Sequence, residues 1–173
     1  MSKNPKIVQI VNDAGSSELT VANAAVEAFQ KSGTLANLPE FLLNGLGNEH
    51  SAIRAKTRQL LFDIKDKSLN KVIFDLVHQK EFIPHRSTLL AALWEANLDC
   101  SDYLSELIAL CASSDLQAIV EISTVIDNLE PNFSYEEIEN YKLDLDELIQ
   151  EEADEAKAQM LSSLMYLLDE IVE

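Results

Sequence analysis

Pairs of large apolar residues recur along this chain in a near-regular register. Ile10-Val11 lies 31 residues before Phe41-Leu42, Phe41-Leu42 lies 31 before Val72-Ile73, and Val72-Ile73 lies 35 before Leu107-Ile108. Between these pairs run further apolar stripes at helical spacing, the pattern that places side chains on one helix face. They are Val21, Ala24, Ala25, Val26, Ala28 and Phe29; then Ile53, Leu60, Leu61 and Ile64; then Leu89, Leu90, Leu93 and Trp94; then Ile119, Ile122, Val125, Ile126 and Leu129. Stops separate them at Ala14-Gly15-Ser16-Ser17, Ser32-Gly33, Gly47-Asn48, Lys65-Asp66-Lys67, Phe82-Ile83-Pro84, Asn97, Ser113-Ser114-Asp115 and Pro131. Each unit of the register is therefore a helix, a tight turn and a second helix. One such pair cannot cover its own apolar face, whereas stacked pairs make a continuous core, so a period in the low thirties predicts an α-solenoid. An orthogonal bundle would show the stripes without the register.

Composition points the same way. Four Gly and four Pro in 173 residues are too few to turn the many strands of an all-β domain. The length suffices for one domain with a substantial core. The expected organisation is a single compact domain, with helical repeats over residues 1–131 and an acidic C-terminal helix pair over 132–173 packing as a cap.

The second helices carry a further pattern. Glu49-His50-Ser51-Ala52-Ile53-Arg54-Ala55 is a polar turn followed by an aliphatic-Arg step, and Pro84-His85-Arg86-Ser87 places an Arg 32 residues later. In these motifs the chain resembles the HEAT-repeat proteins over roughly residues 5–130. Leu19-Thr20-Val21-Ala22 and Gln117-Ala118-Ile119-Val120 depart from the pattern in lacking the Arg. The resemblance implies an all-α, right-handed α-α superhelix whose second helices line a concave surface, and the work of a protein-binding scaffold.

Charge is the strongest compositional signal. Thirteen Lys and Arg stand against thirty Asp and Glu, a net −17. Residues 127–173 hold fifteen acids and two lysines, or −13, while residues 1–126 hold fifteen acids and eleven bases, or −4. Such a module repels phosphate backbones and anionic lipid, so neither nucleic acid nor membrane is an expected partner. No apolar run reaches the ~18 residues that span a bilayer, and no apolar segment follows Lys3 and Lys6 as in a signal peptide. The expected compartment is the cytoplasm, where Cys100 and Cys111 stay reduced as small hydrophobes. Within the module, Ser134-Tyr135-Glu136-Glu137 has the form of a capping box. The acidic run Glu151-Glu152-Ala153-Asp154-Glu155 reads as the start of the last helix, where a helix dipole favours negative charge. Irregularity is expected near Lys142-Leu143-Asp144. Met160, Leu161, Leu164, Leu167, Leu168 and Ile171 form a stripe that needs a surface to pack on.

Chemistry-bearing motifs are sparse. His50, His78 and His85 have no ligand spacing with each other or with the two cysteines, so no metal or cofactor is expected. Asn44-Gly45-Leu46-Gly47-Asn48 reads as a helix end, not a phosphate loop, and no nucleophile elbow occurs, so an enzyme is not expected. Arg54, Lys56, Arg58 and Arg86 are the candidate partner-binding residues. Arg54 and Arg58 are i,i+4 neighbours, and a small basic groove built from these four would suit an acidic peptide of a partner protein. Pairing with nearby acids is the competing reading. The leading expectation is a non-catalytic protein-interaction scaffold; the alternative is an acidic inhibitor or nucleic-acid mimic that meets a basic protein through the C-terminal module.

Overall fold

A computed structural model describes residues 4–172, and among these the chain is all-helical. The helices are α1 (Pro5–Asp13), α2 (Leu19–Ser32), α3 (Leu38–Leu46), α4 (Ser51–Phe62), α5 (Leu69–Val77), α6 (Arg86–Glu95), α7 (Leu104–Cys111), α8 (Leu116–Asp127), α9 (Tyr135–Glu151) and α10 (Glu155–Glu170). Short 3-10 turns at Leu35–Asn37, Lys80–His85 and Ser101–Tyr103 lead into α3, α6 and α7. The chain forms two compact units, Met1–Thr88 and Leu89–Glu173, with the division falling inside α6.

In the first unit α1 packs on α2 and α3 packs on α4, and the pairs meet first helix on first helix and second on second: α1 against α3, α2 against α4. The apolar stripes predicted from the sequence supply the interior. Val11, Ala25, Val26, Phe29, Phe41, Leu42, Ile53 and Leu61 are all buried. Close approach within the second pair depends on Gly45, because a Cβ there would collide with the side chain of Thr57 on α4. Thr57 itself is fully buried, and its hydroxyl has no hydrogen-bond partner.

Polar side chains stitch one pair to the next at a constant offset. Asn44 Nδ2 donates to the Val11 carbonyl at 2.8 Å, and Asn48 Nδ2 donates to the carbonyls of Ala14 at 2.9 Å and Ser16 at 3.0 Å. His50 Nε2 lies 2.8 Å from the Ser17 carbonyl, and Lys56 Nζ donates to Asn23 Oδ1. These bonds span 32 to 34 residues, the period of the sequence register.

The second unit repeats the scheme. α7 packs on α8 and α9 on α10, and the pairs meet as α7 against α9 and α8 against α10. The last stripe finds its surface here: Leu161, Leu164, Leu168 and Ile171 are buried, and α10 rests on both α8 and α9. Ser134 and Glu137 form the capping box, with the Ser134 N–H donating to Glu137 Oε2 at 2.9 Å and the Glu137 N–H donating to Ser134 Oγ at 3.3 Å. The Ser134 hydroxyl, donating to Glu137 Oε2 at 2.6 Å, and then the Ser134 N–H hold the Glu137 carboxyl below its usual range.

Two expectations change. α9 runs unbroken through Lys142-Leu143-Asp144, because Leu143 simply projects outward while Ile138 and Leu145 face the interior. The acidic run does not start one helix but divides between two. α9 ends at Glu151, Glu152 is extended, and Asp154 caps α10 by accepting from the N–H groups of Ala156 and Lys157. Glu152 is anchored by Lys157 Nζ at 2.8 Å and by the Asp154 N–H at 3.0 Å, which together lower its carboxyl pKa. At the other end of the pair, the N–H groups of Asn132 and Phe133 both donate to the Ile171 carbonyl.

Asn48 is 4 % exposed and makes three side-chain bonds, the third being its Oδ1 accepting the His50 N–H at 2.9 Å. Asn48→Ala orphans a buried carbonyl, a part-buried carbonyl and an amide together. The expected loss is ~2–3 kcal/mol of unfolding free energy, on the scale of buried polar groups left without partners. Urea denaturation followed by circular dichroism measures it, and a loss under about 0.5 kcal/mol contradicts the role assigned to this amide.

Candidate functional site

The first unit carries a groove of about 250 Å3 lined by Leu46, Ser51, Arg54, Ala55, Arg58, His85 and Thr88. Helix α4 supplies both arginines, one turn apart on one face. His85 comes from the end of the 3-10 turn before α6, and this turn packs against α3 and α5. Leu46 and Ala55 add apolar surface to the lining.

Arg54 is held by the backbone around Asn48. Its Nη1 donates to the carbonyls of Asn48 and Glu49, both at 2.8 Å. Both Nη1 protons are thus engaged, which leaves Nε and Nη2 without a partner among the described residues. Arg58 is exposed and its guanidinium makes no hydrogen bond or ion pair there. His85 is half-buried, and burial pushes its imidazole below the ordinary 6.5. It is therefore neutral at pH 7.

The other two candidate cations stand elsewhere. Lys56 turns toward α2, where it bonds Asn23 and lies 3.8 Å from Glu27 Oε1. Arg86 is 6 % exposed and donates from Nε to the Val77 carbonyl at 3.1 Å, tying the start of α6 to the end of α5. Neither lines the groove. The structure thus brings together two of the four sequence candidates and adds His85. A histidine beside a proline turn reads from sequence as an exposed loop residue, and its position 31 residues after Arg54 was the one available signal.

Charge divides sharply at the unit boundary. Residues 1–88 hold eleven Lys and Arg against nine Asp and Glu, whereas residues 89–173 hold two against twenty-one. The net charges are +2 and −19. Both lysines of the second unit are mostly covered and paired: Lys142 with Glu139 and Asp169, Lys157 with Glu152. Contact with Asp169 raises the Lys142 pKa.

Among the described residues no three His, Cys, Asp or Glu side chains converge as a metal ion would require, and no helix is long and apolar enough to cross a membrane. Comparison with models of protein families, with curated proteins and with solved structures finds no match to this chain.

Cys100 and Cys111 are buried, unbridged thiols, with Sγ 3.5 Å from the Leu98 carbonyl and 3.4 Å from the Leu107 carbonyl. Burial pushes both up to about 12, with Asp99 adding to the rise at Cys100 and Lys157 opposing it at Cys111. Neither is thiolate at neutral pH, so neither is a nucleophile. Native protein at pH 8 is expected to be inert to a chromogenic disulfide reagent, and urea-unfolded protein to release two equivalents. Rapid labelling of the native state would contradict this burial.

Proposed function

We propose that this protein is a non-catalytic interaction scaffold of the helical-repeat type, and that its Arg54–Arg58–His85 groove receives an acidic segment of a partner protein. The observation that carries the reading is Arg58. Like charges one helical turn apart destabilise a helix by ~0.2–0.5 kcal/mol, and the chain has thirty carboxylates with which to neutralise them. Arg58 nevertheless makes no ion pair or hydrogen bond among the described residues. Two guanidiniums lining one groove, that of Arg54 held by backbone carbonyls and that of Arg58 unengaged among the described residues, suit bidentate capture of a carboxylate brought by another chain. The repeated scheme of pair on pair, and the 32-to-34-residue offset of the stitching bonds, support a HEAT-like superhelix, in which α9 and α10 serve as a polar cap. A cytoplasmic location belongs to the same reading, since the two buried thiols fit a reducing compartment.

Affinity capture from native cells tests it with Arg58→Glu, whose side chain holds nothing else in place. A discrete partner retained by the wild type is expected to be lost with Arg58→Glu and kept by the control Lys80→Glu, which changes net charge equally. Unaltered capture by Arg58→Glu overturns the groove. The dependence on pH has a definite sign. His85 is neutral at pH 7 and gains charge as pH falls through its depressed pKa, below 6.5. Retention of an acidic partner is therefore expected to strengthen from pH 7.5 to about pH 5.5, above the carboxylate range near 4.3. His85→Gln is expected to flatten that rise.

A second reading, an acidic inhibitor or nucleic-acid mimic, is favoured by one observation, the net −19 of the second unit. Against it stands the buried stripe of α10, which makes the acidic pair an integral wall of its unit. Truncation at residue 132 would strip that wall, so surface neutralisation is the cleaner test. Glu136→Gln, Asp144→Asn, Glu147→Gln and Glu155→Gln together keep the fold, and partners of the basic-protein type are expected to be lost only if this reading holds.

A further inference from the structure

We infer that a second cavity of the first unit, at the turn between α2 and α3, binds a small organic cation with an apolar body. Phe29, Leu35, Leu38, Leu60 and Ile64 form its apolar wall, and Asp63 and Asp66 are the charged groups that line it. Its volume is about 650 Å3, inside the range of roughly 300–1,000 Å3 typical of small-molecule sites. That is too little room for a helix, so the size favours a small ligand over a protein segment.

The wall is preformed. Phe29 stacks on Phe41 with ring centroids 3.8 Å apart and planes 10° apart. Its other flank lies against Gly33, where a Cβ would stand 2.5 Å from the ring. Glycine is needed here for the close approach of the ring, since the backbone at this position is extended. The ring has no freedom to fold into the cavity and fill it.

The two carboxylates are oriented as well. Asp63 Oδ1 accepts from Gln59 Nε2 at 3.0 Å, and Asp66 Oδ1 accepts from the Ser68 N–H at 2.9 Å. Each keeps its second oxygen for another donor. Lys65 lies between them in sequence but donates to the Phe62 carbonyl and does not line the cavity. A ligand with an apolar body and an ammonium head satisfies both the wall and the rim. An anionic analogue meets repulsion, and a neutral one gives up the charge-assisted bonds. The site also differs in sign from the Arg54–Arg58 groove, so one unit presents two binding chemistries.

Three matched probes test the assignment: phenylbutylamine, phenylbutanol and phenylbutyrate, titrated into the full chain and followed by amide NMR. The amine is expected to shift the resonances of residues 33–36 and 60–66 saturably, about fivefold more tightly than the alcohol, with the acid weakest. Asp63→Asn with Asp66→Asn is expected to bring the amine down to the affinity of the alcohol while the rest of the spectrum is unchanged. Equal affinity for all three probes, no saturable shift at these residues, or a preference for the amine that survives the double substitution overturns the proposal.

Discussion

The buried amide of Asn48 joins the first two helix pairs, and the surrounding geometry depends on it. A helix end leaves carbonyls without partners, and just past α1 those of Ala14 and Ser16 are taken up by an asparagine in the turn of the next helix pair. The same residue fixes the start of α4 through the His50 N–H, and its own carbonyl holds Arg54. One polar side chain thus sets the stacking offset, the entry of the second helix and the pose of a groove arginine. In a low-dielectric surrounding such a network is stabilising only when every member is satisfied. Here every polar atom of the side chain is bonded.

Charge and apolar burial divide the labour in the second unit. Twenty-one acids repel one another within residues 89–173, and such self-repulsion opposes compaction. Leucine burial along α10 offsets it, and the two lysines are spent where they restrain the hairpin most. Lys142 bridges α9 to α10, and Lys157 clamps the turn between them. Most of the described acids are exposed, because the inner faces of the helices are already claimed by apolar residues.

Much of this was legible in the sequence, for identifiable reasons. Burial demands helical periodicity, so the stripes and their glycine stops read directly, and the capping box is a local motif whose geometry needs no tertiary information. Glu152 was harder. Five residues of acid and alanine contain no breaker, and only the pull of Lys157 and the capping by Asp154 reveal that one helix ends and another begins there. Arg86 reads as a surface cation by type, yet its guanidinium serves a carbonyl at a helix junction. Lys56 reads as a groove residue by position, and the pairing with Glu27 that turns it away comes from another helix. Asn48 looked like a loop residue after a glycine. Its separation from Ala14 and Ser16, 34 and 32 residues, lies close to the 31-residue step of the register, a nearness that acquires meaning only when the pairs are seen to stack.

The bonds from Asn132 and Phe133 to the Ile171 carbonyl give the acidic hairpin an unusual topological property. The backbone leaves the body of the unit and comes back to it at a single place, so the intervening residues form a closed excursion. An array built from such excursions can gain or lose one by a local splice, with little displacement of the chain on either side.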